Sequence, residues 1–326
     1  MKRYLFPILI TLLTLVIILK YVPLERFPEI PKQIELSGII VAFGFYLLSY
    51  VLIAIRWRML FLEGAGGAFH ASPFLLMLIS GAHQFYGNFL PARTGDLTIM
   101  YLARKHLKLE VSLGMSSLII ARAFDFVALG ALALVFIFWQ GHNPRIMRPG
   151  TLTFAGLFIS LPLLGILSAI LWGERISRWL TDHILPHVTR RGNALLIKIT
   201  GFISRTTLLL SARRSISFYS RCFLLSILLM LLRVSIFSTF AIKSASPVPL
   251  VPAVIIGLST LIASTIPIQG FLGLGAFEGG WVLGCVLVGL SPEDGLIVGM
   301  SVHLIIVIFL VFLGALCNLL LLVRKD

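Results

Sequence analysis

Arg122-Ala123-Phe124-Asp125 sits inside an uninterrupted apolar run from Val111 to Trp139. The three-residue spacing puts both charges on one helical face, where they neutralise each other or face the cluster of Arg93 and Asp96. A charge at the centre of a membrane helix costs about 2.5–3.5 kcal/mol even on the lenient insertion scale, so each one is a functional candidate. The plainer alternative is a buried ion pair that fixes helix register, and both stand for this pair.

Two further groups share a pattern. Asn88-Phe89-Leu90-Pro91-Ala92-Arg93-Thr94-Gly95-Asp96 follows an apolar stretch, and Pro91 and Gly95 stop a regular helix there. A guanidinium at such a break, beside free backbone N–H groups, suits a phosphate, and Arg93 and Asp96 share a face if the turn is helical; the alternative is an Arg–Asp pair that ties the turn down. The other group runs from Pro267 through Gln269, Gly270, Gly273 and Gly275 to Glu278. No strand precedes it, so its glycines do not make a dinucleotide fingerprint. It reads as a break between two helices that leaves backbone groups facing a cavity, with Glu278 on the first turn of the second helix. Paired helix breaks in the two halves of a membrane protein point to a midplane binding site and an inverted pseudo-repeat. His83 and His303 also lie in apolar stretches, each as a proton carrier or a partner for Glu278, with packing the alternative, and Arg233 lies mid-span, where it needs a carboxylate or a lipid phosphate.

These groups need membrane helices to hold them. The 326 residues are 58% hydrophobic and 12% charged, against about 45–50% and about 25% in soluble domains, which excludes a soluble protein. The formal charge of +14 lies largely in gaps between apolar runs, where the positive-inside rule accounts for it. No gap has the length or interleaved aromatics of a nucleic-acid-binding module. The three cysteines are far apart, so neither a disulfide framework, a zinc site nor any other metal or cofactor is expected.

The expected fold is all-α and polytopic, one transmembrane domain over 1–326. Spans are expected at Leu5–Leu19, Ser37–Ile55, Val111–Trp139, Thr151–Trp172, Ser220–Ile242, Pro249–Pro267, Gly275–Leu290 and Gly295–Val323, with Arg56, Arg58 and Glu63 closing the second. The stretch Pro73–Pro91 reads as re-entrant or broken. Residues 173–217, with eight basic and two acidic side chains, read as a cytoplasmic amphipathic linker between halves, lying along the headgroups. With both termini cytoplasmic, Arg104–Lys108 and Arg324-Lys325 fall inside and Glu293-Asp294 outside.

The three groups carry a resemblance. Asn88, Pro91, Arg93, Gly95 and Asp96, then Arg122 and Asp125, then Pro267 to Glu278 resemble, in order, motifs of the flippase-like transmembrane domain of the lysylphosphatidylglycerol synthases, here without their aminoacyl-transferase domain. Asp96 stands where that family usually has Glu. The resemblance implies a cell inner-membrane protein that moves a phospholipid or lipid-linked headgroup between leaflets. Arg93 and Arg122 would hold its phosphate, and Asp96, Asp125 and Glu278 would offset the arginines or meet a cationic headgroup. The alternatives are an intramembrane transferase on polyprenyl-linked or aminoacyl lipids, with Asp96 or Glu278 as base, and an accessory subunit that anchors a lipid-modifying enzyme. A homo-oligomer is left open. A transporter is favoured over an enzyme, since no Ser/His/Asp set, HExxH or DxD pair is present.

Overall fold

The computed structural model describes residues 32–66, 70–139, 149–190, 193–212, 214–265 and 270–324. The expected first span and the positions of Pro267 and Gln269 lie outside these residues. Among the described residues the only strand-like feature is one antiparallel bridge, Ile34 to Ser244. The helices are α1 (Leu36–Gly64), α2 (Pro73–Phe89), α3 (Thr98–Leu107), α4 (Val111–Trp139), α5 (Pro149–Trp179), α6 (Leu185–Arg190), α7 (Ala194–Ser211), α8 (Ile216–Ile242), α9 (Leu250–Thr265), α10 (Ala276–Leu287) and α11 (Pro292–Val323). Short 3-10 segments occupy Pro91–Leu97 and Phe271–Gly273.

Six of the described helical stretches are long and apolar enough to cross a bilayer, with mean hydropathy from 1.4 to 3.0. This is an integral, all-α polytopic membrane protein. The 16 residues of α9 and 12 of α10, at about 1.5 Å each, are both shorter than a hydrocarbon core of about 30 Å.

The chain forms two compact units. The first takes residues up to Ile53, then Ser80–Asp96, then from Leu229 onward. Its core gathers Phe240, Ala253, Ile256, Phe277, Trp281 and Val302 from α8 to α11. The bridge at its edge is clasped by Lys243, whose ammonium sits 3.2 Å from Glu35. Hydrogen bonds from Lys243 and then Ser37, followed by the Lys243 charge, hold the exposed Glu35 carboxyl below its usual range. The clasp therefore contributes fully above the ordinary carboxylate range and is lost only as pH falls through the lowered value.

In the same unit α10 lies against α9 through glycines one turn apart. A Cβ on Gly284 would stand 2.6 Å from Ile256 Cα, and one on Gly280 2.8 Å from Thr260 Cα. Small residues at this spacing let two helix backbones approach where no water drives them together. Gly284→Leu is expected to force the pair apart and cost about 1–3 kcal/mol, read as a lower thermal midpoint in detergent; an unchanged midpoint would show that the helices separate freely.

The second unit comprises Ala54–Ile79 and Leu97–Leu228. The span expected over Thr151–Trp172 does not stop there: helix runs on through a π turn at Leu180–Ile184 to Arg190. Two features extend it. Glu174 and Arg178 pair one turn apart at 3.6 Å, and Ser177 and Thr181 offer hydroxyls to Ser204 of α7 at 2.9 and 3.0 Å. The π turn directly precedes Pro186, which has no N–H to give the preceding turn. Residues 194–211 are helical, as their Ile/Leu spacing predicts.

Candidate functional site

In the second unit Asp125 is the hub. Arg56 of α1 donates Nη1–H to Asp125 Oδ1, and Ser226 of α8 donates to the same oxygen at 3.1 Å. Arg122, one turn before Asp125, reaches its other oxygen at 3.6 Å. Arg56 and Asp125 are both 5% exposed. The expected Arg122–Asp125 pair is therefore formed, as one side of a larger cluster.

Arg56 corrects the sequence reading that it closes a span at Ile55. The helix continues to Gly64 with Arg56 buried inside it. Its charge is tolerated because Asp125 neutralises it, a partner 69 residues away that local spacing does not reveal. Ile53, Trp57, Leu60 and Phe61 form a buried face at steps of three and four, and Arg56 lies between Ile53 and Leu60 on the flank of that face.

In the first unit Arg93 sits at the end of the interrupted helix. Its φ of +54° is left-handed, a conformation that costs a non-glycine residue and persists only where surroundings enforce it. The side chain donates Nη2–H to the Ser264 carbonyl, one residue before the end of α9. That carbonyl belongs to a helix C-terminus, where a cation is favoured. Gly95 is required by close approach, because a Cβ there would overlap the Tyr86 carbonyl. Asp96 turns Oδ1 toward Gly87. Asn88 gives its amide to the Gln84 carbonyl of its own helix at 2.8 Å. Tyr86 donates its hydroxyl to Asn318 of α11 at 3.1 Å.

The second break of this unit is built around Glu278. Its Oε2 accepts the Gly275 N–H at 2.8 Å, capping α10, and Gly275 holds φ at +90°, which a side chain would oppose. Oε1 lies 2.5 Å from His303 Nδ1 of α11. His303 Nε2 lies 3.0 Å from the Leu272 carbonyl. A carbonyl only accepts, so Nε2 carries a proton, and a second proton is shared between Nδ1 and Oε1. Phe277 stacks on the imidazole at 4.5 Å between centroids, and both ionisable groups are buried. The sequence pairing of His303 with Glu278 is thus met across 25 residues.

Glu278 dresses the N-terminus that follows the break and Arg93 the C-terminus that precedes it. The ends of two half-length helices are therefore compensated by opposite charges, each on the end it suits. His83 is buried in α2, and Arg233 is half-buried on α8, within electrostatic reach of Tyr46.

The model of the lysylphosphatidylglycerol synthase transmembrane region matches residues 4–314. The chain belongs to that family. No curated protein matches the chain. The part matching the lysylphosphatidylglycerol synthase transmembrane region takes in the Asp125 cluster, the Arg93 turn and the Glu278–His303 pair. Membership makes this a membrane domain of a family associated with lipid modification and flipping, with substrates among the membrane lipids.

Proposed function

We propose that the protein moves a phospholipid or lipid-linked headgroup between the leaflets of the cell inner membrane. The observation that carries this reading is the helical hairpin α9/α10. Two helices too short to cross the hydrocarbon core lie side by side, and the break between them carries Arg93 at the end of α9 and the Glu278–His303 pair at the start of α10. Helix breaks of this kind supply polar groups at membrane depth where they are buried in protein or line a cavity. A headgroup crossing the apolar core needs such groups, with a guanidinium for its phosphate. In this reading α2 and the 3-10 segment after it are re-entrant, the substrate-contacting residues are Asn88, Arg93, Asp96, Arg122, Asp125, Gln269 and Glu278, and both termini face the cytoplasm.

The test is the full chain in liposomes with headgroup-labelled lipids, scored for the rate at which label reaches the opposite leaflet. Acceleration over protein-free vesicles for at least one lipid class is expected. No acceleration with any class overturns the proposal, and covalently altered lipid in the same vesicles would move the reading to a transferase.

A further inference from the structure

Two protons serve the Glu278–His303 pair, one on Nε2 toward the Leu272 carbonyl and one shared between Nδ1 and Oε1. Among the described residues no other charged group acts on either side chain. From α8 it is Phe237 that meets Phe277, from α9 Ser259 and Thr260 meet the glycines of α10, and Arg93 at the end of α9 is engaged with the Ser264 carbonyl. The pair therefore gains and loses protons as one unit.

Its two hydrogen bonds are unequal. The shared proton lies between an imidazole and a carboxylate 2.5 Å apart, a charge-assisted contact about twice as strong as a neutral one. Nε2–H meets a neutral carbonyl at 3.0 Å, on the side of residues 271–276, which are half-buried where the pair itself is buried. Nε2 thus carries the proton that leaves first. When water takes it, Nδ1–H stays on Oε1, and the pair becomes a neutral imidazole on a carboxylate. The bare Nε2 lone pair then opposes the Leu272 carbonyl, and Phe277, stacked on the ring, keeps the imidazole from turning away. Leu272 holds φ at +57°, a conformation that persists only while its surroundings enforce it. Gly273 and Gly275, at +86° and +90°, flank it and can absorb the change.

We propose that the Glu278–His303 pair is a proton-binding site whose proton latches residues 270–275, closed with the proton on Nε2 and released when water takes it. The site needs no lipid to fill it. In a protein that moves lipid, opening of the break is then tied to release of a proton, and that coupling alone rests on the proposed function.

Hydrogen–deuterium exchange of the detergent-purified full chain tests the latch. It is read at the amides of Gly270 and Leu274, which bond the Leu274 and Phe271 carbonyls at 2.9 and 3.1 Å, each rate divided by the intrinsic rate at the same pH. As pH rises from about 5 to about 9, a range that takes in an imidazole beside a carboxylate, the wild type is expected to lose about fivefold in protection, the worth of one ordinary hydrogen bond. Glu278→Gln caps Gly275 through its amide oxygen and gives an N–H to Nδ1, which fixes the remaining proton on Nε2, so protection stays high throughout. His303→Leu removes the donor, so protection is low throughout. Thermal midpoints report folding, and if one variant does not fold the other decides. Protection in the wild type that does not vary with pH, or a wild-type pH profile in either folded variant, overturns the proposal. No lipid transfer enters the measurement, so its failure is distinct from failure of the flippase reading.

Discussion

Asp125→Ala is expected to lower stability by about 3–5 kcal/mol, because it leaves the Arg56 guanidinium buried without its counter-charge. Arg122, one turn away, adds repulsion once the shared carboxylate is gone. The thermal midpoint of the detergent-solubilised protein reads the loss. The pair Arg56→Met with Asp125→Leu removes both charges and keeps the volume filled, so it should recover most of it, since a buried ion pair replaced by apolar side chains is often neutral. A single Asp125→Ala variant as stable as the wild type would mean that Arg56 reaches solvent, contrary to its burial.

The second large effect is on movement of lipid. Arg93→Ala is expected to reduce headgroup transfer in liposomes to the protein-free rate. The variant loses a charge from the C-terminal end of α9, worth up to about 2 kcal/mol at a partly buried helix end, so the protein should still fold and insert. Arg93→Lys keeps a point charge but not the planar fork, and an intermediate rate is expected if the guanidinium grips a phosphate. Full transfer by a folded Arg93→Ala variant would show that Arg93 serves the turn alone. No transfer by the wild type would instead remove the flippase reading itself.

What could be read from the sequence followed the range of each interaction. The run Val111–Trp139 was legible to the residue, because an uninterrupted apolar segment long enough to span a bilayer has one low-energy state there. Arg122 and Asp125 were legible because helix geometry alone brings residues three apart together. Arg56 was not, since its partners are 69 and 170 residues away and an Arg near the end of an apolar run looks like a charge at the membrane surface. The extension of α5 beyond Trp172 was hidden for a related reason. Polar residues there continue a helix when a second helix supplies hydroxyl partners, and that partner is invisible locally. Glu278 and His303 were visible as ionisable groups in apolar stretches that could partner each other; the hydrogen bonds that fix the pair, to Gly275 and to the Leu272 carbonyl, needed the fold.

The hydroxyl lattice of Ser177, Thr181 and Ser204 bears on how the chain is assembled during synthesis. Its bonds join residues 23 and 27 apart, between α5 and α7. The two helices carry their own adhesive and can zip together as soon as both have left the ribosome, before α8 to α11 exist. Such a self-sufficient hairpin is a natural first foothold for the rest of the polypeptide.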